Sequence, residues 1–332
     1  METVQITPDD AKTLVVAAFG AAGMPENLAR PAAQALVLAE QEGLPSHGLA
    51  RAPFYAAQMR AGKVQAQAEP GVTRDGAVIR VDAKYGLAFA AIDAGAQAAR
   101  DVARDLGVAV VSVTHSHHFG VAGQAVEPFA RAGLIALALA NAPAAMAPWG
   151  GNRALYGTNP IAFAAPRAKG APLVIDLSLS HVARGKVMLA QKAGKPIPEG
   201  WAIDADGNPT TDADAAMAGT MVPSGGAKGA ALALMVELLT AGLAGANFAY
   251  QASSLFDDKG PAPDLAHFIL VLDPARFAPG FVDRAEAMFA AIEGQEGARL
   301  PGARRMAERA ARETAFEVAR PLYDTLTALG RG

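Results

Sequence analysis

Val108-Ala109-Val110-Val111-Ser112-Val113 runs into Thr114-His115-Ser116-His117-His118-Phe119-Gly120. The first six residues are apolar and β-branched enough for a buried strand, and a helix is expected to follow over Gly120 to Arg131. A strand feeding a helix in a chain of 332 residues suggests a dinucleotide-binding doubly wound sheet. Such sheets carry G-x-G-x-x-G at the turn and an acid about 20 residues later. No strand of this chain is followed by that pattern. The other expected strands are Val78–Val81, Leu134–Ala140, Ile161–Ala164, Leu173–Asp176 and His267–Leu272. Their irregular spacing predicts an α+β or mixed α/β fold rather than a tidy doubly wound one.

Upstream, Thr7-Pro8-Asp9-Asp10 combines an N-cap hydroxyl, a first-turn proline and acids that suit the positive helix end. That helix is expected to stop at Gly20 to Gly23, a second to run from Pro25 to Gly43, and a third from Leu49 to Arg60. A long alanine-rich helix, Gly86 to Leu106, ends at Gly107. Downstream, Asn141 to Pro160 is a long loop rich in Pro, Gly and Asn, a length that inside compact domains points to function or disorder. A helix is expected from about His181 to Lys192, a hairpin at Asp206-Gly207, and an apolar helix from Ala230 to Gly242. The turn Gly297 to Gly302 separates two final helices.

The 29 Lys and Arg against 32 Asp and Glu give a net charge of −3, so no basic surplus favours nucleic acid or an anionic membrane. Without cysteine there is no disulfide framework, thiolate metal site or thiol nucleophile. METVQITPDD lacks a basic region followed by an apolar one, and the apolar stretch Gly133–Ala140 is too short to span a bilayer. A soluble cytoplasmic protein is expected. With 18% charged and 52% hydrophobic residues, the chain is lean for a monomer surface, which hints at subunit contacts.

Four features carry candidate chemistry. In Ser46-His47-Gly48-x-x-Arg51, a helix running on would put His47 and Arg51 on one face at i and i+4. A guanidinium can clamp a carboxylate there while the imidazole moves a proton, as a small α-keto or α-imino acid requires. Ser46 could equally be a helix cap, and the G-x-S-x-G spacing of a serine hydrolase is missed by one residue. The three histidines at 115, 117 and 118 could hold zinc, yet no further ligand at suitable spacing completes such a site. Helix-start N–H groups beside His118 offer an anion site. Ser224-Gly225-Gly226-Ala227-Lys228-Gly229 could cradle a phosphate, though it is not a Walker A sequence. Arg299 and the pair Arg304-Arg305 would suit a 2′-phosphate.

Taken together, these segments resemble the malate/L-lactate dehydrogenase family that lacks a Rossmann fold. The matching residues are Ser46-His47-Gly48-x-x-Arg51, Ser116-His117-His118-Phe119-Gly120, Pro148-Trp149-Gly150-Gly151 and Gly157-Thr158-Asn159-Pro160-Ile161-Ala162-Phe163. Pro209-Thr210-Thr211 and Pro223-x-Gly225-Gly226-x-Lys228-Gly229 follow in the right order. Val126-Glu127-Pro128-Phe129-Ala130, Ala165-Pro166-Arg167-Ala168, Asn247-Phe248 and Arg299-Leu300-Pro301-Gly302-x-Arg304-Arg305 are most similar to its Δ1-piperideine-2-carboxylate/Δ1-pyrroline-2-carboxylate reductases.

The resemblance implies a mostly antiparallel or mixed sheet wrapped by helices and a non-Rossmann cofactor groove. A helical unit from residues 1–65 and 305–332 would join a sheet domain from 66–304, with an excursion at 116–216. It further implies a homodimer or larger assembly and NADPH, or else NADH, as cofactor. Carried over, His47 is the proton donor with Ser46 orienting it, and Arg51 and Thr158 hold the substrate carboxylate. The cofactor falls to His118, Phe119, Gly120, Val121 and Ala122; to Asp176, Leu177 and Ser178; and to Arg184, Gly185 and Lys228. The turn Arg299, Leu300, Pro301, Gly302, Ala303, Arg304 and Arg305 completes its set. Lys186 stands where the imine reductases carry a relay aspartate, and lysine there is the pattern of the wider family. Reduction of cyclic imino acids to L-proline or L-pipecolate is the leading expectation. The alternative is a malate/L-lactate-type 2-hydroxy-acid dehydrogenase.

Overall fold

A computed structural model describes residues 2–331. Its centre is a seven-stranded sheet in the order Gly71–Asp75, Val78–Asp82, Val108–Ser116, Leu265–Leu272, Ile135–Ala140, Ile161–Ala165, Leu173–Leu177. Every neighbouring pair is antiparallel except Val78–Asp82 with Val108–Ser116. A parallel pair needs a crossover, and helix Ala88–Leu106 supplies it, ending on left-handed Gly107. The fold is thus α+β with a mixed, mostly antiparallel sheet. No helix among the described residues is long and apolar enough to cross a membrane.

Helices Ala88–Leu106 and Ala122–Arg131 contribute to a core with Ile79, Val81, Val111, Val113, Ile269 and Phe129. Its alanines and Gly95 permit close approach: a Cβ on Gly95 would stand 2.6 Å from Val111 Cγ1. A second core joins helices Pro8–Gly20, Glu26–Gln41, Ala52–Arg60 and Arg320–Leu329 through Phe19, Leu36, Tyr55 and Leu326. Strand Thr3–Ile6 pairs antiparallel with Phe316–Ala319 and brings the two ends of the chain together. A third core, including Met146, Val187 and Val236, lies beside a small sheet of Thr220–Met221, Ala202–Ile203 and Pro209–Thr210. The turn at Asp206-Gly207 links the last two strands as expected.

Several boundaries differ from the sequence reading. The third helix does not run from Leu49: Pro45–His47 and Leu49–Arg51 are separate 3₁₀ turns, and α-helix begins only at Ala52. The helix expected from His181 begins at Arg184, because His181 N–H donates to Val222 O and is held outside the helix. The apolar helix starts earlier, at Ala227, after positive φ at Gly225 and Gly226. Strand Gly71–Asp75 escaped the reading because four of its five residues are exposed and show no apolar alternation.

Candidate active site

The break at Gly48 shapes the site. Glu40, near the end of helix Glu26–Gln41, accepts the Leu49 N–H at 2.8 Å, which takes that donor out of helical pairing. Gly48 lies so close that a Cβ there would meet Glu40 Oε1 at 2.4 Å. His47 and Arg51 therefore do not share a continuous helical face. They meet through the turn itself: Arg51 Nε donates to Ser46 O at 2.8 Å, and Ser46 Oγ lies 3.0 Å from His47 Nδ1. Arg51 is buried, and its Nη1 has no hydrogen-bond partner. Its guanidinium sits 4.5 Å over the Phe256 ring. Burial, then the charge of Arg51, lowers the His47 pKa to about 4, because both disfavour a second cation.

The three clustered histidines diverge. His115 has φ +48°, and its Nδ1 is 3.0 Å from Asp82 Oδ1. His117 is buried with neither ring nitrogen paired, and burial first, then nearby cations, depresses its pKa to about 3. His118 approaches His47, with ring centroids 5.4 Å apart. Its Nδ1 lies 2.6 Å from Tyr55 Oη. Burial pushes the Tyr55 phenol up to about 12, so the hydroxyl keeps its proton and pairs with a neutral His118 ring. Burial and the Arg51 charge hold His118 well below the ordinary range. Behind it, His267 pairs with Ser116 Oγ at 2.9 Å and stacks on Phe119. Among the described residues no three His, Asp or Glu side chains gather as metal ligands would.

The long loop is fixed from below. Asn159, buried at φ +38°, donates to Glu237 Oε1 at 2.7 Å and to Ala233 O at 3.1 Å. A Cβ on Gly157 would overlap Ala142 O at 2.2 Å, so only glycine fits. Thr158 O accepts the Leu179 N–H at 2.8 Å. No hydrogen bond joins Thr158 to Arg51 among the described residues.

The expected cofactor residues fall into connected and separate sets. Helix Ala122–Arg131 begins directly after His118–Val121, but its N-terminus is not an open anion site: Gly123 N–H donates to Asp176 Oδ2 at 2.8 Å. The same oxygen accepts from Arg305 Nη1 at 2.9 Å. Arg305 also lies 3.9 Å from buried Glu42. Its Nε and Nη2 are buried without partners, and a Cβ on Gly123 would fill the space it occupies. Asp176 and Glu42 already balance this guanidinium, so the cations of Arg299, Arg304 and Lys228 are the side chains whose chemistry fits a bound phosphate. Leu300 is buried, while Arg299, Arg304 and Lys228 are exposed. Arg184 donates to Ala144 O at 3.3 Å, and burial lowers its pKa. Lys186 is exposed and, among the described residues, pairs with no carboxylate. Tyr55, Glu40, Phe256 and Glu237 were missed in the sequence; each meets its partner only through the fold.

Residues 6–327 match the malate/L-lactate dehydrogenase family. The chain is 59% identical over 96% of both chains to the (2R)-3-sulfolactate dehydrogenase (NADP(+)) of Chromohalobacter salexigens. Its structure superposes on a Δ1-piperideine-2-carboxylate reductase from Pseudomonas syringae pvar. tomato with a TM-score of 0.92 at 37% identity, over 99% of this chain and 100% of that one. A sulfolactate dehydrogenase from Methanocaldococcus jannaschii matches with a TM-score of 0.90 at 29% identity, over 99% and 97% of the chains. With its mixed sheet, its Ser46-His47-Arg51 turn and these matches, the chain belongs to the malate/L-lactate dehydrogenase family of oxidoreductases.

Proposed function

We propose that this protein is an NADP-dependent 2-hydroxy-acid dehydrogenase that interconverts a C3-sulfonated 2-hydroxy acid of the 3-sulfolactate type with its 2-oxo acid. The observation that carries this reading is the 59% identity, spanning nearly both chains, to the 3-sulfolactate dehydrogenase. Exposed Lys186, where a relay aspartate would serve an imine reductase, is in accord with it. The NADP preference draws on that relative and on exposed Arg299 and Arg304, which flank the start of helix Ala303–Ala311.

Arg51 holds the substrate carboxylate, as its buried, unpaired Nη1 favours, and Thr158 contributes beside it. His47 with Nδ1–H donating to Ser46 Oγ keeps the Nε2 lone pair free. In the oxidising direction that lone pair takes the proton from the C2 hydroxyl; in reduction it returns the proton to the C2 oxygen. Tyr55 fixes the His118 ring beside it. The nicotinamide cofactor, when bound, supplies the hydride acceptor or donor for C2. His118 to Ala122, Asp176 to Ser178, Arg184, Gly185, Lys228 and the segment Arg299–Arg305 would hold it, with exposed Arg304 suited to phosphate. The exposed Leu232, Leu234, Leu238 and Leu243 favour a homodimer, and a cytoplasmic setting agrees with a soluble cofactor.

The test compares NADP⁺ reduction with 3-sulfolactate, malate and lactate against NADPH oxidation with the two cyclic imines. A kcat/KM for 3-sulfolactate at least tenfold above the rest is expected. Higher efficiency on the imines would overturn the substrate assignment and restore the second reading, cyclic imino-acid reduction. That reading is favoured by the fit to the piperideine-2-carboxylate reductase.

A further inference from the structure

We infer that Phe256, fixed by a buried lysine knot, is a specificity-determining wall of the substrate site; this rests on Arg51 holding the substrate carboxylate. Arg51 Cζ stands 4.5 Å from the Phe256 ring centroid, and its Nε is taken by Ser46 O at 2.8 Å. Ring and carbonyl thus restrain the guanidinium on one face and one edge. Its two Nη groups, which make no hydrogen bond among the described residues, remain for an anion.

The segment around Phe256 is a loop, yet it is tied down from within. Lys63 is 2% exposed, and its Nζ donates to Ser254 O at 2.7 Å, Asp257 O at 3.2 Å and Lys259 O at 2.8 Å. The Asp257 carboxylate lies 3.4 Å from the same ammonium. Gln58, on helix Ala52–Arg60, adds a bond to Asp257 O at 2.8 Å. One ammonium holding three carbonyls is a built knot, since a buried ammonium needs all its protons paired. Phe54, on the same helix as Gln58, meets Phe256 edge-on at 6.3 Å. Phe256 is 40% exposed, so part of its surface is available beside the guanidinium. A tethered ring there cannot yield to the width of a five- or six-membered ring closed through the carbon next to the carboxylate. It therefore favours open-chain acids over rings and keeps Arg51 in its carboxylate-binding pose.

The experiment measures KM and kcat for 3-sulfolactate and for Δ1-piperideine-2-carboxylate in Phe256→Ala, Phe256→Leu, Phe256→Tyr, Lys63→Met and Arg51→Lys. Loss of a partly desolvated cation–π contact predicts a KM for 3-sulfolactate raised by about 3- to 30-fold in Phe256→Ala and Phe256→Leu. Turnover should change less than KM, the preference should move toward the ring substrate, and Phe256→Tyr should restore the wild-type values. Lys63→Met should reproduce the KM increase, and trypsin should cut after Lys259 faster than in the wild type. Unchanged KM and selectivity in Phe256→Leu, with KM raised in Arg51→Lys, would overturn the wall while leaving the carboxylate clamp intact. Unchanged KM in Arg51→Lys would remove the clamp and the inference together. Wild-type proteolysis in Lys63→Met would overturn the knot.

Discussion

His47 stays neutral at physiological pH because its ring is desolvated beside the Arg51 cation, which places its pKa near 4. A depressed imidazole pKa keeps the base form available down to acid pH, and activity is lost as pH falls through that value. For oxidation by the free enzyme, the acid limb of kcat/KM is therefore expected near pH 4 in addition to any limb from the substrate. A bound carboxylate offsets the Arg51 charge and raises the ring's pKa, so the limb in kcat should lie at higher pH. Coincident limbs, or a limb retained in His47→Gln, would contradict this assignment. Tyr55 is a second test at this scale. Tyr55→Phe leaves the ring in the core but removes the hydrogen bond to His118. A buried hydrogen bond of about 1–3 kcal/mol predicts a loss in kcat/KM of roughly 5- to 150-fold. A wild-type rate in that variant would make the contact merely structural.

The segment Pro45–Arg60 shows how an element departs from its local propensity. Leu49 to Arg60 is read as one helix, yet it holds Pro53, which has no N–H to return to Leu49 and suits only the first turn of the helix from Ala52. Glu40 competes for the Leu49 N–H, and Gly48, at φ −94° and ψ −144°, lets the chain leave the helical path. Burial raises the Glu40 pKa while the Leu49 N–H opposes that shift. Gly48→Ala would push a methyl group against the Glu40 carboxylate, displacing it or the turn. We expect a loss of about 1–3 kcal/mol in stability and a larger loss in turnover, measured by urea unfolding and steady-state kinetics on the same preparation. Helix Ala303–Ala311 behaves differently. Its first turn carries exposed Arg304 beside Arg305, which is tied to Asp176. Arg304→Ser should raise KM for NADPH about tenfold, as loss of a charge-assisted bond would, and leave KM for NADH within twofold. Equal effects on both cofactors would refute a 2′-phosphate contact.

Across the whole molecule, buried charge ties the two ends of the chain to the sheet. Glu42 is surrounded by Arg305 and Arg309; Arg309 also reaches Glu127 at 2.7 Å, which in turn accepts from Arg131. Without Glu42, Arg309 keeps Glu127 and Arg305 keeps Asp176, but both lose a charge-assisted contact, so Glu42→Ala should cost about 1–3 kcal/mol in chemical denaturation. A loss below 1 kcal/mol would mean that solvent or another carboxylate replaces it. The buried imidazoles give the fold its pH response. His117 and His267 have pKa values near 3 when folded, against 6.5 as the ordinary value. They stay neutral in the fold while the unfolded chain takes up their protons, so their contribution is full above pH 6.5 and declines toward pH 3. At pH 5 each removes about 2 kcal/mol. The melting temperature should fall between pH 7 and pH 5, and His117→Leu should flatten that slope. A level profile in the wild type would show that these rings are hydrated.

Periodicity and end signals alone determined much of the secondary structure. Thr7 caps its helix, Gly107 ends the long one, and the strands at 78, 108, 135, 161 and 173 fall close to their expected places. The absent G-x-G-x-x-G already removed the doubly wound fold, and Ser46, His47 and Arg51 could be singled out because their chemistry lies within one short stretch. Tertiary structure decided what that stretch meets. Tyr55 reaches His118, Lys63 ties down Asp257, and Asp176 pairs with Arg305, contacts spanning 63, 194 and 129 positions. Local spacing carries no trace of such partners, because sheet order sets which distant segments become neighbours. It is also why His115 turned outward to Asp82: the strand takes up a positive-φ residue just where its register with Leu265–Leu272 shifts. A chain reads its own turns locally, but it acquires desolvated charges and paired imidazoles only when packing removes water from both sides.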